Sequence, residues 1–267
     1  MPDRKTALIT GASFGIGLEL ARIFAHEGHN LVLVARSADK LRQLASELEK
    51  AHGTRSLILA ADLSDPGAAA YVFDQATRAN IIIDILVNNA GFGQYGLFAE
   101  NDLEDCLRQI QLNVTTLTHL TRLCLPEMIE RARSEKKTGR ILNVASTAAF
   151  QAGPLMAVYY ATKAYVLHFS EAIANELQGT GVTVTCLCPG PTATEFQERA
   201  KITGIRLTKY GTMDAHTVAE SGYQAMMAGK PVVIAGFKNW LVAQSVRFAP
   251  RRVAAAVARK LQEIKSE

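Results

Sequence analysis

Thr10-Gly11-Ala12-Ser13-Phe14-Gly15-Ile16-Gly17 follows the apolar run Ala7-Leu8-Ile9 and precedes an amphipathic stretch, and that order decides the fold. A strand, a glycine-rich turn and a helix in succession aim backbone N–H groups and the positive end of the helix at a phosphate. Glycine is needed where a Cβ would keep the backbone away from a pyrophosphate. The spacing Gly11, Gly15, Gly17 departs from the usual G-x-G-x-x-G pattern. The place of the glycines between strand and helix therefore carries the argument, more than their number.

Outward from this turn, short β-branched runs alternate with longer amphipathic stretches, the pattern of βαβ units. The strands are expected at Ala7–Thr10, Leu31–Ala35, Ser56–Ala60, Ile82–Asn88, Arg140–Ala145, Val182–Leu187 and Val232–Ala235. Helices are expected between them, among others at Ile16–His26, Lys40–His52 and Tyr159–Gln178. Several strands are apolar on both faces, as they are when helices cover both sides. The fold class is α/β: a doubly wound, Rossmann-type parallel sheet in a single domain. Residues 1–237 form its body. A polar connection at about 191–212 has the length of a binding loop, and residues 238–267 form a basic helical extension of the same domain.

Composition narrows the class. Of 267 residues, 48 % are hydrophobic and 20 % charged, as in a globular chain with a large core. No apolar stretch approaches the ~20 residues that span a bilayer. Met1 to Lys5 lead straight toward a strand without a leader-like apolar segment, so a cytoplasmic location is expected. Cys106 and Cys124 are isolated, and Cys186 and Cys188 sit two apart in an apolar run; all four read as buried small hydrophobes. No cysteine or histidine spacing suggests a metal site. The net charge of +4 divides into +5 on residues 238–267 and −1 on the rest. That extension lacks the aromatic interleaving or docking motif of a nucleic-acid binder.

Tyr159 and Lys163 stand one helical turn apart and point the same way. The ammonium is expected to lower the phenol's pKa toward working pH. Such a pair suits proton transfer at a carbonyl or alcohol oxygen while hydride moves to or from a nicotinamide. Cofactor choice turns on the second strand, which ends Val34-Ala35-Arg36-Ser37 without the acid that would bind both ribose hydroxyls. Arg36 suits a 2′-phosphate and Ser13 adds a hydroxyl, so NADP(H) is expected in preference to NAD(H). Asp62, ahead of Leu63, either accepts from the adenine amino group or caps the turn at Ser64. Asn88-Asn89-Ala90-Gly91 suits a cofactor passing close to the backbone. His168 reads as a surface residue and Asp84 as a strand-start hydrogen-bonding group, and no Gly-x-Ser-x-Gly elbow suggests a hydrolase.

Taken together, Thr10-Gly11-x-x-x-Gly15-x-Gly17, Asn88-Asn89-Ala90-Gly91, Asn113, Ser146, Tyr159-x-x-x-Lys163 and Pro189-Gly190 resemble the short-chain dehydrogenase/reductase family over residues 6–194. The resemblance implies that Tyr159 is the general acid in reduction and the base in oxidation. It implies that Lys163 also binds the nicotinamide ribose, that Ser146 orients the substrate oxygen, and that Asn113 holds a water in a proton relay. It adds weight to Asp62 as the adenine contact and makes Asn89, Ala90 and Gly91 the ribose wall. Pro189, Gly190, Thr192 and Thr194 become a nicotinamide clamp, with the Thr194 hydroxyl on the carboxamide. Tyr160 lacks the spacing to Lys163. The expected activity is an NADP(H)-dependent carbonyl reductase or alcohol dehydrogenase acting on a small molecule. Its pocket is drawn from Gln94, Tyr95, Phe98, Phe150, Gln151, Leu155, Met156 and the polar loop.

Two alternatives stand beside it. A non-catalytic NADP(H)-binding sensor or scaffold would not need all of Asn113, Ser146, Tyr159 and Lys163. An epimerase or dehydratase of the same family would usually be longer, with other glycine spacing. A homo-oligomer is expected. In the extension, Val253, Val257, Leu261 and Ile264 recur at helical spacing beside five basic residues. This stripe is expected to pack within the chain or between subunits, which is favoured over peripheral membrane contact because the stripe is narrow and alanine-rich.

Overall fold

The computed structural model describes residues 4–196, 200 and 211–263. Most of the polar loop expected at 191–212, and Ile264, Lys265 and Glu267 of the extension, lie outside the described residues. Among the described residues, seven strands form one parallel sheet in the order β3-β2-β1-β4-β5-β6-β7. They are β1 Thr6–Thr10, β2 Asn30–Ala35, β3 Ser56–Ala60, β4 Ile85–Asn88, β5 Gly139–Val144, β6 Val182–Cys188 and β7 Val232–Ile234. The strand order reverses between β1 and β4, which opens a crevice at the carboxyl ends of those two strands.

The helices are α1 Gly15–His26, α2 Ala38–His52, α3 Ala68–Arg78, α4 Leu103–Ile110, α5 Leu117–Glu135 and α6 Ala157–Glu176, followed by α7 Ala215–Met227, α8 Phe237–Ser245 and α9 Arg251–Gln262. Alternate strand residues serve two cores, which is why the strands read as unbroken apolar runs. Ala7, Ile9, Leu31 and Leu33 pack with Phe24, Leu41 and Tyr223 on one face. Leu8, Val32, Val34 and Leu86 pack with Val72, Leu120 and Met128 on the other. Phe24 is fully buried, a contribution of about 1.5–3 kcal/mol.

The strand expected from Ile82 begins instead at Ile85. Ile82 is exposed, and the register pairs Ala7 with Ile85. Asp84 sets that boundary: its Oδ2 accepts from the Thr6 backbone N–H at 2.8 Å, and its Oδ1 pairs with Arg131 at 2.9 Å. The extension helices α8 and α9 lie beyond β7. Tyr95 donates to the Gln262 carbonyl at 2.9 Å, and the Gln262 amide donates to the Tyr160 hydroxyl. The buried positions of α9 are Ala258 and Gln262. Of the expected stripe, Leu261 reaches the cleft wall, whereas Val253 and Val257 are exposed and Ile264 lies outside the described residues. Ala258 and Gln262 make the close approach, and the valines are left on the outer side.

Candidate active site

The glycine turn is fastened to the end of β4 by one hydroxyl. Thr10 Oγ1 donates to the Val87 carbonyl at 3.1 Å and accepts from Asn89 N and Ala90 N at 2.9 and 3.0 Å. The Asn89 amide donates back to the Thr10 carbonyl at 2.9 Å. A Cβ on Gly11 would come within 2.8 Å of that amide, and the φ of Gly11, +68°, is itself in the left-handed region. A Cβ on Gly17 would strike the Gly11 carbonyl. No side chain caps the N-terminus of α1, and its first turn carries no acid. The positive end of the helix therefore faces the crevice without a built-in counter-charge.

A cleft of about 1550 Å³ runs from this turn across the sheet edge. It is lined by the predicted residues Gly11, Ser13, Gly15, Ile16, Arg36, Asp62, Leu63, Asn89, Ala90, Gly91, Ser146, Tyr159, Lys163, Pro189, Gly190, Thr192 and Thr194. Gly17 and Asn113 stand behind the wall. Asn113 lies on a π turn, Gln111–Thr116, that links α4 to α5. Its amide donates to the Phe92 carbonyl and to Thr162 Oγ1, both at 3.0 Å, and its carbonyl accepts from Phe92 N at 3.2 Å. Both amide hydrogens are thus engaged within the protein. A Cβ on Gly91 would meet Asn113 Oδ1 at 3.0 Å and Lys163 Nζ at 3.4 Å, so a side chain there would press on both.

Ser146 follows β5 and starts a 3₁₀ turn, Thr147–Phe150, where its hydroxyl accepts from Ala148 N at 3.1 Å. Tyr159 and Lys163 sit in the first turns of α6. Lys163 is buried and donates to the Val144 carbonyl at 2.8 Å. Burial pulls its pKa down to about 8, against the opposing pull of Cys186 and Cys188. Burial also pushes the Tyr159 phenol well above its ordinary range; the Ser146 hydroxyl draws it partly back, and Tyr160 adds to the rise. The expectation that Lys163 lowers the phenol's pKa is not met in this geometry. Desolvation of the ring dominates, and the ammonium is held on a backbone carbonyl.

At the far end of the cleft, Asp62 caps the turn at Ser64 while keeping its place on the wall. Its Oδ1 accepts from Ser64 N at 2.9 Å and Ser64 Oγ at 2.6 Å. Its Oδ2 pairs with Arg108 at 3.1 Å and lies 3.9 Å from Arg36. Burial pushes this carboxyl up, but the Ser64 bonds and the two arginines outweigh it and hold it below the usual range. Arg36 keeps 62 % of its side chain exposed, so the guanidinium is available at the cleft mouth.

The short chain dehydrogenase sequence model matches residues 5–203. The chain belongs to the short-chain dehydrogenase family. It is 36 % identical over 194 residues to a short chain dehydrogenase of Pseudocercospora fijiensis, covering 72 % of this chain and 61 % of that one. It is 37 % identical over 186 residues to the ketoacyl reductase HetN of Nostoc, covering 70 % and 63 %. The chain thus spans less than two thirds of the length of these two relatives. Among solved structures, it is similar to a short-chain dehydrogenase from Sphingobium yanoikuyae in complex with NADPH, with TM-score 0.79 and 34 % identity, covering 91 % of this chain and 94 % of that one. A 3-ketoacyl-(acyl-carrier-protein) reductase from Brucella melitensis complexed with NADH matches with TM-score 0.75 and 30 % identity, covering 87 % and 97 %. A nicotinamide cofactor is supported for this short-chain dehydrogenase.

The fold brings further residues to the cleft that spacing did not single out. Arg108 arrives from α4. Phe196 packs on the Tyr159 ring at 5.3 Å between centroids. Lys40, at the start of α2, pairs with Glu195 at 3.2 Å, joining α2 to the segment that follows Thr194. Leu241, Val242, Ala258, Leu261 and Gln262 of the extension complete the wall. Of the expected pocket residues, Gln94, Tyr95, Gln151 and Met156 line the cleft, whereas Phe98, Phe150 and Leu155 do not. Tyr160 is buried and held by Gln262. The thiols of Cys186 and Cys188 lie 3.8 Å apart, both free and buried. His168 is exposed beside Glu171.

Proposed function

We propose that this short-chain dehydrogenase interconverts a carbonyl and a secondary alcohol with NADP(H), using Tyr159 as the general acid and base. One observation carries the reading: Ser146, Tyr159 and Lys163 converge at one end of a single cleft whose other end presents Arg36. The residues present fit the cofactor. The glycine turn excludes side chains from the backbone, and the N-terminus of α1 has neither a side-chain cap nor an acid in its first turn. Arg36 and Ser13 would hold a 2′-phosphate, with Asp62 at the adenine and Asn89 to Gly91 along the ribose. Thr192 and Thr194 would close over the nicotinamide.

When bound, the nicotinamide supplies or accepts the hydride. Ser146 orients the substrate oxygen, and Tyr159 gives that oxygen its proton in reduction. A phenol with a raised pKa holds its proton at neutral pH, which suits the reducing direction. Lys163 places an ammonium beside the phenol, and Asn113 fixes the Gly91–Phe92 backbone against it. The likeness to the Nostoc ketoacyl reductase and to the NADPH complex supports this reading.

The test is consumption of NADPH and of NADH across a panel of simple ketones and 3-oxoacyl thioesters, for the wild type and Tyr159→Phe. NADPH-preferring turnover that the substitution removes is expected. Tight NADPH binding without turnover of any carbonyl would favour the non-catalytic binder instead.

A further inference from the structure

The extension carries a surface that the proposed chemistry does not use. Phe237, Trp240, Leu241, Val242, Phe248, Val253 and Val257 are all exposed, Phe248 by 89 % and Phe237 by 75 %. Phe237 and Trp240 stack on each other at 5.8 Å. Exposed apolar side chains gathered this densely mark an interaction surface more often than they occur by chance. The same segment is uniformly basic. Between Glu220 and Glu263 the chain has no acidic residue, while Lys238, Arg247, Arg251, Arg252, Arg259 and Lys260 all fall there. Among the described residues, only Arg259 of these makes an ion pair, a long one of 3.9 Å to Glu263.

We infer that α8 and α9, with the turn between them, dock on an anionic lipid bilayer surface. The apolar side chains would enter the headgroup boundary, and the unpaired cations would meet lipid phosphates. Charge decides among the occupants. A second copy paired through the same face would set basic against basic. A nucleic acid would satisfy the cations but leave Phe237, Trp240 and Phe248 in water. A bilayer answers both features. Leu241 and Val242 belong to the exposed set and also line the cleft, so the docked face adjoins the cleft mouth. An apolar substrate would pass there from lipid to Tyr159 without crossing water. The docking itself does not depend on the proposed reaction.

The probe is built in, because Trp240 is the sole tryptophan of the chain. The full-length protein is mixed with vesicles of equimolar phosphatidylcholine and phosphatidylglycerol, or of phosphatidylcholine alone. Co-sedimentation and a blue shift of Trp240 emission are expected with the anionic vesicles only. Arg251→Gln with Arg252→Gln should weaken binding about tenfold or more, and Phe248→Ser should weaken it further. Circular dichroism and NADPH turnover in the absence of lipid should stay unchanged in these variants. Absence of binding to anionic vesicles overturns the inference, as does equal binding to neutral ones. A blue shift that follows protein concentration without lipid would assign the face to a second copy and overturn it too.

Discussion

The Lys163 ammonium lies 5.8 Å from the centroid of the Tyr159 ring and is anchored on the Val144 carbonyl. The cation thus faces the ring while its hydrogen bond is directed elsewhere, and the phenol stays protonated. Replacing Tyr159 with phenylalanine keeps the ring in place and removes only the transferable proton. Turnover should fall about 10²–10⁴-fold, with NADPH affinity near that of the wild type by fluorescence titration. Wild-type turnover in this variant would remove Tyr159 from its assigned role.

The pH profile should report Lys163 before Tyr159. Below about 8 the ammonium is charged; as pH rises through that value it is lost, while the buried phenol keeps its proton. The kcat/KM for carbonyl reduction should therefore decline with a midpoint near 8. Lys163→Arg, which does not titrate in this range, should abolish that limb even where its rate is lower. A wild-type profile flat up to about pH 10, the ordinary phenol pKa, would show that the ammonium is not required.

Arg36→Asp should exchange the cofactor preference. The substitution removes an exposed cation and sets a second carboxylate near Asp62. Loss of one charge-assisted contact, about 1.5–3 kcal/mol, corresponds to about a 10- to 100-fold weaker NADPH interaction. NADH kinetics should improve or hold. A wild type that prefers NADH refutes the cofactor assignment, and an unaltered NADPH preference in the variant removes Arg36 as its reader.

Asp84→Ala tests the strut beneath the sheet rather than the chemistry. The carboxylate serves Thr6 N and Arg131 together, and the two ion-paired side chains are 9 % and 12 % exposed. Removing it leaves a nearly buried guanidinium with only the longer 3.8 Å pair to Glu135, at a cost approaching about 3–5 kcal/mol. Urea denaturation should show this loss, with kcat of the remaining folded enzyme little changed. A loss below about 1 kcal/mol, typical of an exposed pair, would mean that Arg131 finds water or another partner.

Much of the scaffold can be read from the chain because its signals are local. Consecutive apolar residues mark strands covered on both faces, and Tyr159 and Lys163 declare their relation by a four-residue spacing. The start of β4 was misplaced for an equally local reason: Ile81-Ile82-Ile83 has strand composition, but the hydrogen bond of Thr6 to Asp84 sets where pairing begins. The cleft wall is different. Arg108 meets Asp62 across 46 positions and Gln262 meets Tyr160 across 102, so no spacing rule could join them. The direction of the Tyr159 shift was illegible too, since it is set by how much of the fold closes around the ring. In α9 the valines carry the apolar periodicity, yet Ala258 and Gln262 make the contact.

The hydrogen bond between Gln262 and Tyr160 reaches from the extension to the immediate neighbour of Tyr159. The short chain dehydrogenase sequence model matches residues 5–203, whereas this part of the wall is built from residues 241–262. A change at Gln262 is therefore felt one residue from the proposed acid without touching the glycine turn.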